Sequence, residues 1–305
     1  MMKNVIALFG FLIAATALPA NAHKVELDFF GEPKPDLTPI EFPFANHVPK
    51  GVTVGNPVFG PDGKEFYFTD NESRDIHVMT RSESGWSKPR RASFADQGDN
   101  YEPYLAADGL SLYFISTRAP GTPPYNGRIW HTSRASTNSP WQAPTLVLDR
   151  VTDAGFWYPN EGEKGVLYFG ATLADSFGEG DFYRAKKSED GWQIHHLPAP
   201  FNTEGYEWDP LISPDGSYMM FQSERAGGLG GTDIYVSFKT GEEWGTPINL
   251  GSTINTPEFE TAGSITPDGK FMFYTLVPDE GAPRIYWVST DVITRLQKGQ
   301  DAKAD

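Results

Sequence analysis

Carboxylates and aromatic rings stand beside one another at three places in this sequence, Tyr101-Glu102, Glu207-Trp208-Asp209 and Glu258-Phe259-Glu260, and a fourth, Phe156-Trp157-Tyr158, offers rings that a neighbouring copy's carboxylate could complete. Such pairs have two chemical uses. Aromatic faces stack on sugar rings while carboxylates accept hydrogen bonds from hydroxyls. The same set attracts cationic peptide groups through charge and cation–π contacts. Other chemistries lack their residues. Cys is absent, which removes disulfides, thiolate metal sites, a cysteine nucleophile and a lipid anchor on cysteine. His47, His77, His131, His195 and His196 are scattered. His195 and His196 are adjacent in a predicted outer strand and so point to opposite faces, which prevents joint chelation. No Gly-x-Ser-x-Gly elbow is present. The acidic stretch from Asp96 to Asp99 lacks the spacing of an EF-hand loop. Neither a metal nor a cofactor is expected.

The elements that must position these pairs form a repeat. A Pro-led strand, an Asp-Gly turn and an aromatic strand recur roughly every fifty residues. Pro57-Val58-Phe59 leads through Asp62-Gly63 to Phe66-Tyr67-Phe68, and Pro103-Tyr104-Leu105 through Asp108-Gly109 to Leu112-Tyr113-Phe114. Pro210-Leu211-Ile212 leads through Asp215-Gly216 to Met219-Met220-Phe221, and Ser264-Ile265 through Asp268-Gly269 to Met272-Phe273-Tyr274. The third copy runs from Pro159 to Leu167-Tyr168-Phe169 and has Glu163-Lys164 in place of Asp-Gly. Asp-Gly between apolar runs is a hairpin signal, because Gly accepts positive φ. A third strand then opens at Asp75, Arg128, Asp181, Asp233 and Arg284, and a fourth carries Trp86, Trp141, Trp192 or Trp244. The recurring Asp residues are expected to accept turn amides, and the recurring Trp residues to pack between sheets.

Four short strands per copy define an all-β chain folded as a β-propeller of four-stranded blades. Five copies give five blades, or six if residues 23–55 build a degenerate one. The fifth copy lacks a fourth strand. Ile40, Phe42 and Phe44 alternate with Glu41 and Pro43, and this period of two predicts an N-terminal strand that closes the ring. Propeller ligands bind at the mouth of the central channel. The candidate ligand-binding residues are therefore those entering the innermost strands: Glu102, Trp157, Tyr158, Glu207, Trp208, Asp209 and Glu260. The first copy offers only Asn56 and Pro57 there.

Composition agrees. The chain has 305 residues with 40 acidic against 25 basic side chains, a formal charge of -15. That balance argues against nucleic acid and against anionic lipid as partners. Hydrophobic residues at 39% supply a core. Lys3, the apolar run from Val5 to Leu18 and Ala20-Asn21-Ala22 together read as a cleaved signal peptide over 1–22, and the run is short for a membrane span. The expected organisation is a leader over 1–22, a lead segment over 23–37, the propeller over 38–296 and a polar tail over 297–305. The destination is the periplasm or the exterior.

The fourth copy carries a resemblance. Ser213-Pro214-Asp215-Gly216, then Phe221-Gln222-Ser223-Glu224-Arg225, then Gly227-Gly228-Leu229-Gly230-Gly231-Thr232-Asp233-Ile234-Tyr235 resembles the TolB-type, WD-like propeller repeat of bacterial exported proteins. Trp244-Gly245-Thr246-Pro247 and Ile254-Asn255-Thr256-Pro257 match its continuation. The similarity spans about residues 38 to 290. The resemblance is specific for fold and not for function; the expected reading is an envelope propeller that binds an envelope protein, a peptide or a glycan at the channel mouth, as a monomer and without enzymatic activity. Neither the α/β domain of the Tol component nor a peptidase domain accompanies it.

A carbohydrate-active enzyme, a glycoside hydrolase or polysaccharide lyase, is the alternative. It would use Glu102, Asp209 and Glu260 as carboxylates about 5–9.5 Å apart across the scissile bond. Propeller glycosidases also place a carboxylate on the first inner strand, where this chain has Asn56-Pro57-Val58-Phe59. Mass spectrometry of the exported protein should find an N-terminus at His23. An intact Met1 in that fraction would refute the leader.

Overall fold

The computed structural model describes residues 27–119, 122, 127–151, 154–241 and 243–304. The predicted leader over 1–22 and residue His23 lie outside the described residues. Five antiparallel sheets follow one another along the chain, each running from an inner strand outward, and together they form a five-bladed propeller. Blade 1 contains Val54–Phe59, Glu65–Asp70 and Asp75–Ser82, with Gly85–Trp86 and Arg90–Arg91 on its outer edge. Blade 2 contains Asn100–Leu105, Ser111–Ser116, Arg128–Ser133 and Thr145–Leu146. Blade 3 contains Phe156–Glu161, Val166–Ala171, Asp181–Ser188 and Gly191–His196. Blade 4 contains Glu207–Ile212, Tyr218–Ser223 and Asp233–Thr240, edged by Glu243–Trp244 and Ile248–Asn249. Blade 5 contains Phe259–Ile265, Phe271–Val277, Arg284–Ser289 and, from the start of the chain, Ile40–Glu41.

The inner hairpins form as their sequences dictate. Gly63, Gly109, Gly216 and Gly269 all have φ near +70°, and the Asp before each accepts the amide two residues on. Gly enters that region without steric cost. The third copy keeps the device in another form. Gly165 takes φ +79°, and its amide donates to the Glu161 carboxylate at 2.7 Å.

The recurring Asp residues hold loops. Asp181 accepts the amides of Phe177 and Gly178, and Asp233 those of Leu229 and Gly230. Asp75 instead accepts from Asn100 and pairs with Arg91 at 2.6 Å. The recurring tryptophans pack between sheets. The Trp141 indole donates to Tyr67 of blade 1 at 3.0 Å, and Trp244 meets Phe201 edge-on at 5.5 Å. Trp86, Trp192 and Trp244 lie on outer strands, whereas Trp141 precedes its outer strand.

Ring closure takes the predicted form over a shorter length. Ile40 and Glu41 pair with Trp287 and Tyr286 of blade 5. Phe44 begins a short 3-10 helix, Phe44–Asn46, because the strand stops at Pro43. An aromatic seam of Phe29, Phe42, Phe44, Phe66, Phe273 and Trp287 then joins blade 5 to blade 1. The final segment is helical, Asp291–Ala304, with Ile293 buried against blades 4 and 5. Phe42 sits at the middle of the seam, with Trp287 and Phe273 rings at 5.1 and 5.6 Å. Phe42→Ala should lower unfolding free energy by about 3–5 kcal/mol, as measured by urea denaturation. A loss below about 1 kcal/mol would mean the seam does not hold the ring.

Candidate functional site

Each of the first four inner strands carries a residue in the left-handed region followed by proline: Asn56-Pro57, Glu102-Pro103, Tyr158-Pro159 and Asp209-Pro210. Their φ values are 47°, 54°, 47° and 57°. None is glycine, so each costs on the order of 1 kcal/mol. The pairing register shifts at these positions, as in a β-bulge. A bulge re-aims a side chain and frees main-chain groups. In blade 5 the shift falls between Ala262 and Ser264, at Gly263.

The freed main-chain groups are recovered from the next blade. Tyr104 donates its hydroxyl to the Glu161 carbonyl at 2.7 Å. Asn160 donates to the Pro210 carbonyl and accepts from the Ile212 amide at 3.1 Å. Ser264 donates to the Pro57 carbonyl, which spans the closure from blade 5 to blade 1. Buried main-chain polar groups need such partners.

The re-aimed side chains meet in the channel. The Glu102 amide donates to the Thr69 hydroxyl at 3.0 Å, and Thr69 donates to the Asn56 amide oxygen at 3.3 Å. Asn56 donates to the Tyr158 hydroxyl. The Tyr158 amide donates to the Glu102 carboxylate at 2.7 Å, which closes the circuit. Asp209 is 6% exposed and, among the described residues, has no hydrogen-bond partner. Burial and the Glu102 charge hold its carboxyl well above the usual range. Glu102 keeps some surface toward the channel but is surrounded by protein, and burial pushes it up to about 7. Burial and the two carboxylates raise Tyr158 well above the usual phenol range.

Beyond this floor lies a cavity of about 290 Å³. It opens where the inner strands leave, on the side of the Asp-Gly turns, with Leu105, Pro159, Leu211 and Ile265 among its walls. The sequence pointed to the opposite mouth, where those strands enter. Of the seven predicted residues, Glu102 and Tyr158 line the cavity, and Asp209 lies behind the lining, near enough to interact electrostatically with both. The other four are placed elsewhere. Trp157 covers Gly170 and Gly180, and Trp208 stacks on Tyr206 at 4.6 Å. Glu207 is fully buried and accepts from Thr203 and Ser223, with Arg225 at 3.7 Å. Glu260 is fully buried and accepts from Thr256 at 2.5 Å. Asn56 and Thr69 complete the floor and were not singled out by the sequence. The recurring residue-plus-proline step was the available signal.

Among the described residues, no group of three or more His, Asp or Glu side chains is placed to hold a metal ion. No described helix is long and apolar enough to cross a membrane.

The architecture defines a five-bladed β-propeller with a polar, partly acidic floor inside its channel. No family model and no curated protein matches the chain. Among solved structures it is similar to a putative TolB from Agrobacterium tumefaciens, at 15% identity over 79% of this chain and 78% of that one, with a TM-score of 0.53. It is also similar to TolB from Acinetobacter baumannii, at 13% identity over 78% and 57% of the two chains, with a TM-score of 0.48. An alpha-L-arabinofuranosidase from Lactobacillus brevis matches at 13% identity over 79% and 93%, with a TM-score of 0.48. The likeness is one of fold, the β-propeller that the repeat implied.

The floor has a pH signature. Glu102 ionises near 4.5 in an ordinary setting and near 7 here, so the folded state retains a proton that the unfolded chain has lost. Stability therefore falls as pH rises from about 4.5 to about 7. Glu102→Gln keeps an acceptor for the Tyr158 amide and removes the ionisation. It should stabilise the protein by on the order of 2 kcal/mol at pH 8 and by close to nothing at pH 4. Denaturant melts at the two pH values test this. An equal effect at both would refute the assignment.

Proposed function

We propose that the protein is an exported, non-enzymatic propeller of the cell envelope that binds a protein or peptide partner through a group inserted into its central channel. The observation that supports this most directly is the cavity itself: aliphatic and proline walls that end on Asn56, Glu102 and Tyr158, with Asp209 beside them. The floor side chains are held by bulged strands and by one another, so little ordering entropy is lost on binding. A glycan is less well served. Trp157 and Trp208, the indoles on which a sugar would stack, are absent from the cavity walls.

A second reading keeps one specific observation. Glu102, raised to about 7, has the character of a general acid. A glycoside hydrolase also needs a carboxylate held ionised. Asp209 is raised as well, and the first blade supplies Asn56, so that partner is missing from the floor.

The test is selection of peptides from a random displayed library on the wild-type protein, with affinities remeasured on Ala107→Trp. Ala107 is exposed at the cavity mouth, so a large ring there obstructs entry without touching the core. Selected peptides should bind the variant at least tenfold more weakly. Equal binding to both would place recognition outside the channel. Release of reducing ends from an envelope glycan, lost in both Glu102→Gln and Asp209→Asn, would establish the hydrolase instead.

A further inference from the structure

The channel floor has a charge that its own residues leave uncompensated. Glu102 is bonded through one carboxylate oxygen to the Tyr158 amide, and its other oxygen has no described partner. Asp209 is 6% exposed with neither oxygen bonded. Among the described residues no cation acts on this pair: Glu102 is raised by burial, opposed by the Tyr158 amide, and Asp209 by burial and the Glu102 charge, while burial and the carboxylates in turn raise Tyr158 and Tyr101. Asn56 and Thr69 complete the surroundings and carry no charge. The one cation among the cavity-lining residues is Lys164, which is exposed. A buried acid without a partner is unfavourable and is expected only where something else supplies the partner.

We propose that the channel accepts a primary alkylammonium group, ammonium end first, which lodges between Glu102 and Asp209 in exchange for a proton held by that carboxylate pair. The proposal rests on the channel being the binding site and names the chemistry of what enters it. An ammonium has three donors and no acceptor. The floor offers it the free Glu102 oxygen, the Asp209 carboxyl and the Tyr158 hydroxyl oxygen. A four-carbon stem would lie along Pro159, Leu211, Ile265 and their neighbours, as the stem of a lysine does on apolar surface. A quaternary ammonium would leave the floor oxygens without donors. A divalent ion would find only two carboxylates.

The exchange conserves charge. Well below neutrality the pair is protonated, because burial raises Glu102, and burial with the Glu102 charge raises Asp209. An ammonium can then enter only as one proton leaves to solvent. Affinity should therefore rise about tenfold per pH unit up to about 7 and level off above it.

Isothermal titration with n-butylammonium tests this, with n-butanol as the neutral probe of the same length. Titrations at pH 5.5, 6.5 and 7.5, each in two buffers of different ionisation heat, count the protons released. The expected result is a rise of about tenfold from pH 5.5 to 6.5, near one proton released at pH 5.5, and butanol at least tenfold weaker. Asp209→Asn should lose at least tenfold in butylammonium affinity at pH 7.5. Asn is tolerated in the left-handed region, so the strand geometry is kept. Retained thermal unfolding cooperativity would verify that. Flat affinity across the range, or butanol equal to butylammonium, overturns the proposal. If butanol binds as well and both are lost in Ala107→Trp, the channel remains the binding site and only the ammonium is refuted. If neither probe binds while selected peptides remain sensitive to Ala107→Trp, the ammonium is again refuted alone. Insensitivity of those peptides refutes the channel as well.

Discussion

The architecture depends on one local constraint: the inner strands do not run straight. A left-handed residue followed by proline breaks the ladder in each of the first four. A regular strand would place residues two apart on the same face. The bulge separates them, so that Glu207 turns into the blade while Asp209 turns into the channel. It also frees carbonyls that only a neighbouring blade can satisfy. Asn160 and Ser264 meet that need, and together with Tyr104 they bind blade to blade around the axis. The strain and the cohesion come from the same few residues.

The floor also shows what function costs a fold. Four non-glycine residues sit in a disfavoured conformation, and two carboxyls lie in surroundings that oppose their ionisation. The aromatic packing of the blades needs neither feature, although burial also raises Glu207 and Glu260 in their loop clasps. Phe66, Phe114, Phe169 and Phe221 fill the second strands and bury fully without them. Features that weaken a fold and persist together are more economically read as belonging to a site than to a scaffold.

Much of this was legible because repetition writes the same instruction several times. The Asp-Gly turns, the Asp at the head of the third strand and the outer tryptophan each have a plain physical task, and most copies perform it, with Asp75 the exception among the aspartates. The number of blades and the N-terminal closure followed from counting strands. The site was less legible. Glu207 and Asp209 look alike two residues apart, and only the bulge between them assigns one to a clasp and the other to the channel. Asn56 carries no charge and so stands in the sequence only as a missing carboxylate, although it anchors the Tyr158 hydroxyl. The side of the ring on which the cavity opens depends on the length and bulk of the hairpin tips, which sequence periodicity does not encode. Glu163-Lys164 looked like a lost turn, yet Gly165 recovers the same backbone shape one residue later.

Closure by Ile40–Glu41 on Arg284–Ser289 ties the assembly to time as well as to space. These two segments are nearly the first and the last parts of the described chain to leave a ribosome or a translocation pore. Blades 1 to 4 can each collapse from local contacts as they emerge, but the ring cannot shut until residue 287 is available to meet residue 40. Contacts so far apart in sequence form slowly. With no cysteine to lock the seam afterwards, the aromatic cluster there must serve as the late step of folding and, with the strand pairing and the Ser264 hydrogen bond, as its lasting fastener. Until it forms, the edge of blade 5 stays open to other chains, so the interval between synthesis and closure is when this protein is most exposed to misassembly.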